Sequence, residues 1–349
     1  MKASYHNIAM SSYLYNKPSV SRSSLYILLA LLPQLIMLAV TASYRSLIII
    51  ACTCAGFVLA EFLGNALRKK QTLNDGTALV AGLLTGMFFP AEFSFVMAFC
   101  ITFGTALLTK QLFGSGGCCW INPVMTAVVL AYFHAPLFFP YLVTPAGVDL
   151  AGTPFAAASG VFTAAAPDAA ITTGLNSGFL QRLGIFLPDG YVTLFRDTGA
   201  SIPALRFNLL TLAASVFLIA CGTLNWRLPA CYLFMYGLLV WVFSLYPFGG
   251  GFLHGDMLFA LLTSGTLFCG FFILDYQGTV PLSPAGKAVY GLIAGFFAFI
   301  FSGAGGSPVG ALFTVLAVNC VSPLIGLVEE WGFQEIRKKE MEQRILYGK

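Results

Sequence analysis

Ten apolar stretches, parted by short polar, glycine- or proline-bearing connections, run along this chain of 349 residues. They lie near 24–42, 47–66, 77–90, 94–113, 121–134, 205–221, 229–247, 256–274, 286–302 and 308–328. In hydrocarbon every backbone N–H and C=O must find its partner within the protein, so stretches of this kind fold as helices. About 20 apolar residues cross a bilayer, and the third and fifth stretches are too short to cross unaided. Both carry proline at one end (Pro90, Pro123) and glycine or asparagine beside their starts. Broken segments buried among full helices are a way to build midplane or interfacial sites. Composition agrees with a membrane chain: 58% of residues are apolar and 9% charged, where a soluble domain would carry about a quarter.

Charge placement sets the expected orientation. With ten spans and an inner N-terminus, 14 of the 18 lysines and arginines fall on the cytoplasmic side, Lys110 among them, and only Arg45, Arg182, Arg196 and Arg206 outside. The bias follows the positive-inside rule and puts both termini in the cytoplasm. A net charge of +4 gives no reason to expect a nucleic-acid partner. The first 22 or so residues are polar and turn-forming rather than a cleavable leader, so the first helix is expected to stay. The nine cysteines fall almost all in apolar runs and read as small buried hydrophobes.

The long connection 135–204 then lies outside. It is rich in Ala, Gly, Thr and Pro, and its aromatic-bearing pieces Gly178–Leu187 and Tyr191–Phe195 point to a folded loop on the membrane surface. The expected divisions are a cytoplasmic segment 1–23, five helices in 24–134, the outer loop 135–204, five helices in 205–328, and a basic cytoplasmic tail 329–349.

The two helical parts resemble each other. Leu79–Phe89 aligns without gaps on Leu262–Phe272, and Phe113–Gly117 before Pro123 matches Phe301–Gly306 before Pro308, at spacings of about 183 to 189 residues. Two five-helix repeats would be inverted, because an odd number of spans reverses the second copy. The fold expected is an all-α integral membrane protein of about ten transmembrane helices in two five-helix inverted repeats, with two or more broken helices.

Five collinear stretches carry a resemblance to the RnfD/NqrB family. Asn74–Leu84 is similar to its third-helix opening, and Lys110–Gly114 with Ile121–Pro123 to its loop before the fifth helix. Asn225–Pro229, then Phe271–Asp275 with Pro281, Pro284, Gly286 and Lys287, then Gly305–Pro323 with Asn319 and Pro323 in register, resemble later motifs. Members are subunits of complexes that couple electron transfer to Na⁺ or H⁺ pumping in the bacterial inner (cytoplasmic) membrane. The resemblance implies a ten-helix redox subunit acting with other Rnf-type membrane subunits (A, B, C, E and G). It implies covalent FMN on an outer loop, and often riboflavin or another noncovalent flavin. The length favours the RnfD branch, of the ferredoxin:NAD⁺ oxidoreductase type, over the longer NqrB branch, of the Na⁺-translocating NADH:quinone reductase type.

The family esterifies FMN through its phosphate to a threonine before the sixth helix. The matching region here is Asp168–Leu175; Thr173 aligns with the acceptor, and Thr172 is the next choice. The spacing departs from the family pattern: its glycine is absent and one residue is missing between the aspartate and the threonine. Read plainly, the stretch is an Ala/Thr-rich loop without cofactor; read functionally, it holds FMN on Thr173. At residues 199–226 the family alignment runs without gaps, with Pro203 and Ala204 replacing its glycine and glutamate.

Other residues have two readings each. Asp75 and Gly76 open the third stretch, either as a helix cap or as an exposed helix start that binds a flavin's anionic or carbonyl group. Asn122 and Pro123 open the fifth in the same way. Glu61 is either an ion-handling acid or a partner of Arg68 near the cytoplasmic end. Asp256 and Asp275, at the two ends of the eighth stretch, are ion-pathway candidates or, for Asp256, a cap. Cys118–Cys119 are two ligands at most, and His134 and His254 are too scattered for a metal site. A secondary transporter or channel without redox cofactor, or a scaffold that lost its flavin, would show similar broken helices.

Overall fold

The structure is a computed structural model and describes residues 19–69, 73–112, 121–139, 168–184, 190–243, 252–253, 255–276, 280–281, 283–303 and 309–346. Its first part comprises α1 (Val20–Val40), α2 (Tyr44–Arg68), α3 (Thr77–Met87), α4 (Phe95–Ala106) and α5 (Pro123–His134). Two short helices follow, α6 (Asp168–Leu175) and α7 (Tyr191–Arg196), with a three-residue helical turn, Gln181–Leu183, between them. The last part holds α8 (Asn208–Ala220), α9 (Arg227–Val242), α10 (Met257–Thr263), α11 (Thr266–Phe268), α12 (Pro284–Ser302) and α13 (Gly310–Leu346). Two π-helical segments lie within the apolar stretches: Leu107–Leu112 continues α4, and Cys269–Ile273 continues α11; a further one, Asn176–Leu180, continues α6 outside them.

Among the described residues, Val20–Val40, Tyr44–Arg68, Phe95–Leu112, Pro284–Ser302 and Gly310–Glu335 are long and apolar enough to cross a membrane. Thr77–Met87, Pro123–His134, Asn208–Ala220 and Arg227–Val242 are apolar but shorter. The chain is a multi-pass helical membrane protein. The third and fifth stretches are short helices, as their proline and glycine signals suggested, and α3 is buried over almost its whole length. A helix apolar on all sides belongs inside protein. Its fit against α2 is close: a Cβ at Gly82 would lie 2.5 Å from the Cα of Cys54, and the Thr53 hydroxyl donates to the Gly82 carbonyl at 2.9 Å. Small residues let membrane helices approach in this way.

One expected span is not continuous. The eighth stretch, 256–274, breaks at Ser264–Gly265, where Gly265 takes φ 72° and ψ 0°. The same backbone opens α3, at Gly76 with φ 67° and ψ 1°. Only glycine adopts this left-handed conformation without strain. In both places the sequence reads Leu-X-X-Gly-Thr, Leu73–Thr77 and Leu262–Thr266. These segments coincide at an offset of 189 residues, six more than the 183 that aligned Leu79 with Leu262.

Helix neighbours also recur. α2 packs on α4 and α4 on α5; likewise α9 packs on α12 and α12 on α13. α1 meets α8 between them, where the buried Gln34 amide donates to the Thr211 hydroxyl at 3.1 Å. α13 runs unbroken through 328–329, where a span was expected to give way to a tail.

Candidate functional site

The aligned flavin segment is helical, which corrects its reading as a loop. Asp168 starts α6, and its buried carboxylate reaches across to the start of α7. One oxygen accepts from the Gly190 N–H at 2.8 Å and the Thr172 hydroxyl at 3.0 Å; the other accepts from the Thr193 N–H at 2.8 Å and the Thr193 hydroxyl. The free N–H groups at a helix start favour an anion there. Burial alone would raise this acid's pKa, but these hydrogen bonds outweigh it and hold it below the usual carboxylate value. α7 is anchored in turn. Tyr191 and Leu194 bury against Phe259, Leu262 and Leu267, and the Asn208 amide donates to the carbonyls of Leu194 at 2.8 Å and Leu262 at 2.9 Å.

This network separates the two threonines. Thr172 is buried and its hydroxyl is spent on Asp168. Thr173 is exposed; its hydroxyl donates to the Ala169 carbonyl at 2.7 Å, leaving its lone pairs outward. Nothing lies within 4 Å of the position a Cβ would take on the neighbouring Gly174. The oxygen and the space around it fit a phosphoester on Thr173 and not on Thr172. In a helix a one-residue slip turns the side chain by roughly 100°, so register here decides between surface and interior.

A second cluster lies at the opening of α3. The Lys110 ammonium, carried by the π segment after α4, is 2.7 Å from the Glu61 carboxylate of α2 and 2.8 Å from the Thr77 hydroxyl. Both charged side chains are buried, at 7% and 2% exposure. The Tyr276 hydroxyl, from just beyond the second π segment, donates to the Thr77 carbonyl at 3.0 Å. Two expectations change here. Glu61 pairs with Lys110, not Arg68, because the extra residue of the π turn swings Lys110 inward toward α2. Lys110 is accordingly a buried partner of Glu61 rather than an exposed charge. Asp75, expected as a candidate cap, sits in a 3-10 turn, while the capping position falls on Gly76 without a side-chain bond.

The sequence profile of the NQR2, RnfD, RnfE family matches residues 7–331. The chain belongs to this family. It is similar to proteins named as the D component of an ion-translocating oxidoreductase complex. The one from Cronobacter sakazakii is 27% identical over 348 residues, spanning 91% of this chain and 95% of that protein. Those of Pectobacterium atrosepticum and Escherichia coli are 26% and 27% identical over 345 residues, with the same coverage.

In this family member the other singled-out residues lie apart from α6. Asn122 caps α5: its side-chain oxygen accepts from the N–H groups of Val124 and Met125 at 3.0 and 3.4 Å, with Pro123 in the first helical position. Its amide also donates to the Ile273 carbonyl of the second π segment at 3.1 Å. Asp256 caps α10 through the Phe259 N–H at 2.9 Å. Asp275 accepts from the Asn225 N–H at 3.4 Å and lies 3.8 Å from the Lys287 ammonium. His134 stacks edge-on against Phe93. Cys118, Cys119 and His254 lie outside the described residues. Lys110 and Asp168 were missed as partners. The usable signal for Lys110 was an acid and a base near the C-terminal ends of the second and fourth apolar stretches, which run in the same direction.

Proposed function

We propose that this chain is the D-type membrane component of an ion-translocating oxidoreductase complex of the Rnf type, with FMN esterified to Thr173. The observation that carries the flavin assignment is the pairing of an exposed Thr173 hydroxyl with a buried, occupied Thr172 hydroxyl at the aligned acceptor position. Similarity over nearly the full length to the D components of such complexes supports its place in one. A flavin held there would supply one- and two-electron redox chemistry. The residues around it have simpler tasks: Asp168 fixes α6 on α7, and α6 presents Thr173 outward.

The shared Gly-Thr openings and recurring helix neighbours support two five-helix inverted repeats, ten spans in all, with both termini in the cytoplasm and α6–α7 outside. In this reading the openings at Asp75–Gly76 and Asn122–Pro123 are where a second, noncovalent flavin of the riboflavin type would meet helix N-termini. Glu61 belongs to the acid set for Na⁺ or H⁺ passage, with Asp256 and Asp275 further along. The partners are the other Rnf-type subunits, in the bacterial inner membrane.

Denaturing gels of native-host membranes test the flavin site. The band is expected to fluoresce under ultraviolet light, and intact mass to exceed the bare chain by one FMN less water. Thr173→Ala should abolish the fluorescence while the protein stays folded, and Thr172→Ala should keep it. An unmodified mass for the wild type would discard the covalent flavin and leave family membership standing.

A further inference from the structure

The surface between α2 and α4 falls into a groove. α2 lines it with Ile48, Ala51, Cys52 and Ala55, and α4 with Phe95, Val96 and Phe99. It has a volume of about 470 Å³ and presents no polar atom. It exists because α2 turns small side chains toward three larger ones. Ile48 and Val96 on its rims are 47% and 69% exposed, so the groove opens sideways to whatever surrounds the helices.

One end is marked by charge. Arg45, in the first turn of α2, holds its guanidinium 6.0 Å from the centre of the Phe95 ring, a cation–π contact that parks the charge over the groove's end. Tyr44 beside it is 62% exposed, as tyrosines are at the membrane–water boundary. Arg45 forms no ion pair among the described residues, and neither does the exposed Glu92 ahead of α4. Arg206 differs: it is held by Asp197 at 2.7 Å.

We propose that the groove seats one acyl chain of an anionic phospholipid, with the phosphate at Arg45. Length favours a lipid over a helix. The groove is lined on α2 from Ile48 to Ala55, and from the Arg45 headgroup position to Ala55 the helix climbs ten residue steps, roughly 15 Å at 1.5 Å per residue. That is half of an about 30 Å hydrocarbon core, the depth of a single leaflet. Past Ala55 the exposed Leu59, Phe62 and Leu63 fill the surface, whereas a partner helix would need a seam across both leaflets. A fork of N–H donors suits phosphate oxygens. The proposal is independent of the redox reading and needs neither flavin nor pumping.

The test uses the whole complex in nanodiscs of mixed phosphatidylglycerol and phosphatidylcholine, followed by mild detergent release and native mass spectrometry of the chain. We expect one retained phospholipid, with phosphatidylglycerol favoured about tenfold, the worth of one charge-assisted contact. Arg45→Gln should bring the preference close to one while a lipid stays. Ala55→Phe should fill the groove and remove the lipid. On the unaltered chain, phosphatidylglycerol carrying a photoreactive acyl chain should cross-link to peptides containing Ile48–Ala55 or Phe95–Phe99. Cross-links elsewhere, unchanged retention in Ala55→Phe, an equal preference in the wild type, or an isoprenoid mass in place of a phospholipid would each overturn the assignment. So would disulfide trapping of Ala51→Cys to another protein of the complex.

Discussion

The openings of α3 and α11 share a backbone and differ in what surrounds it. At each, a left-handed glycine hands over to a threonine that starts a buried helix. At the first, Thr77 accepts from an ammonium that is itself neutralised by Glu61. At the second, Thr266 shares a neutral hydrogen bond of 2.8 Å with Ser264, and both side chains are fully buried. The spacing that matches Phe113 with Phe301 carries Lys110 onto Ala298, a buried methyl. The glycine conformation alone therefore suffices to break a helix, and the ion pair at the first opening does something further. It ties α2, α3 and α4 together at one point, which a hydroxyl pair within a single turn cannot do.

Removing one charge at the first opening should have the largest effect. Lys110→Met leaves the Glu61 carboxylate buried without its counter-charge, an expected loss of about 3–5 kcal/mol. Adding Glu61→Gln should recover much of that loss in a thermal-unfolding series in detergent. If the single variant melts with the wild type, the pair is not buried as described.

Asp168 supplies the contrast of a buried acid held by N–H and O–H donors. Asp168→Asn should cost about 2 kcal/mol at pH 7 through weakened charge-assisted bonds. Because the folded carboxyl has a depressed pKa, that contribution is complete above the ordinary value of about 3.9. It disappears as pH falls through the folded value. Melting curves of wild type and variant should stay a constant distance apart from pH 7 to about 5 and converge only below pH 4. Convergence already at pH 6 would contradict the network.

Gly76→Ala and Gly265→Ala test the shared device and should each cost about 1–2 kcal/mol for a left-handed alanine. At Gly76 the added Cβ would also come within 3.3 Å of the Ser24 Cβ, so part of that loss is contact rather than backbone strain. The smallest effect belongs to Ser264→Ala, about 1 kcal/mol for one neutral hydrogen bond. If it matched Lys110→Met in limited-proteolysis stability, the two openings would not differ as their side chains indicate.

Hydropathy made the helices legible, because a stretch of apolar side chains has few alternatives in a membrane. Prolines made the third and fifth breaks legible. The break at Ser264–Gly265 was hidden: it lies within an apolar run without proline, and its glycine was aligned to Gly82 instead of Gly76. The burial of Lys110 was hidden because a lone lysine closing an apolar run reads as an exposed charge until a facing acid is known. Thr173 was found by alignment, but its advantage over Thr172 required the helix, since spacing along a chain does not tell which face a residue occupies.

The aspartate that begins α6 also fastens the start of α7, and α7 is bonded through Asn208 to α10. The attachment point at Thr173 is thus located relative to the broken helix of the second half through hydrogen-bonded joints within the protein. Whatever is bonded there would be anchored at one defined point, with only its own chain free to turn. Small movements of α10 would shift that point directly, so a local rearrangement among the buried helices would be carried to the surface of α6.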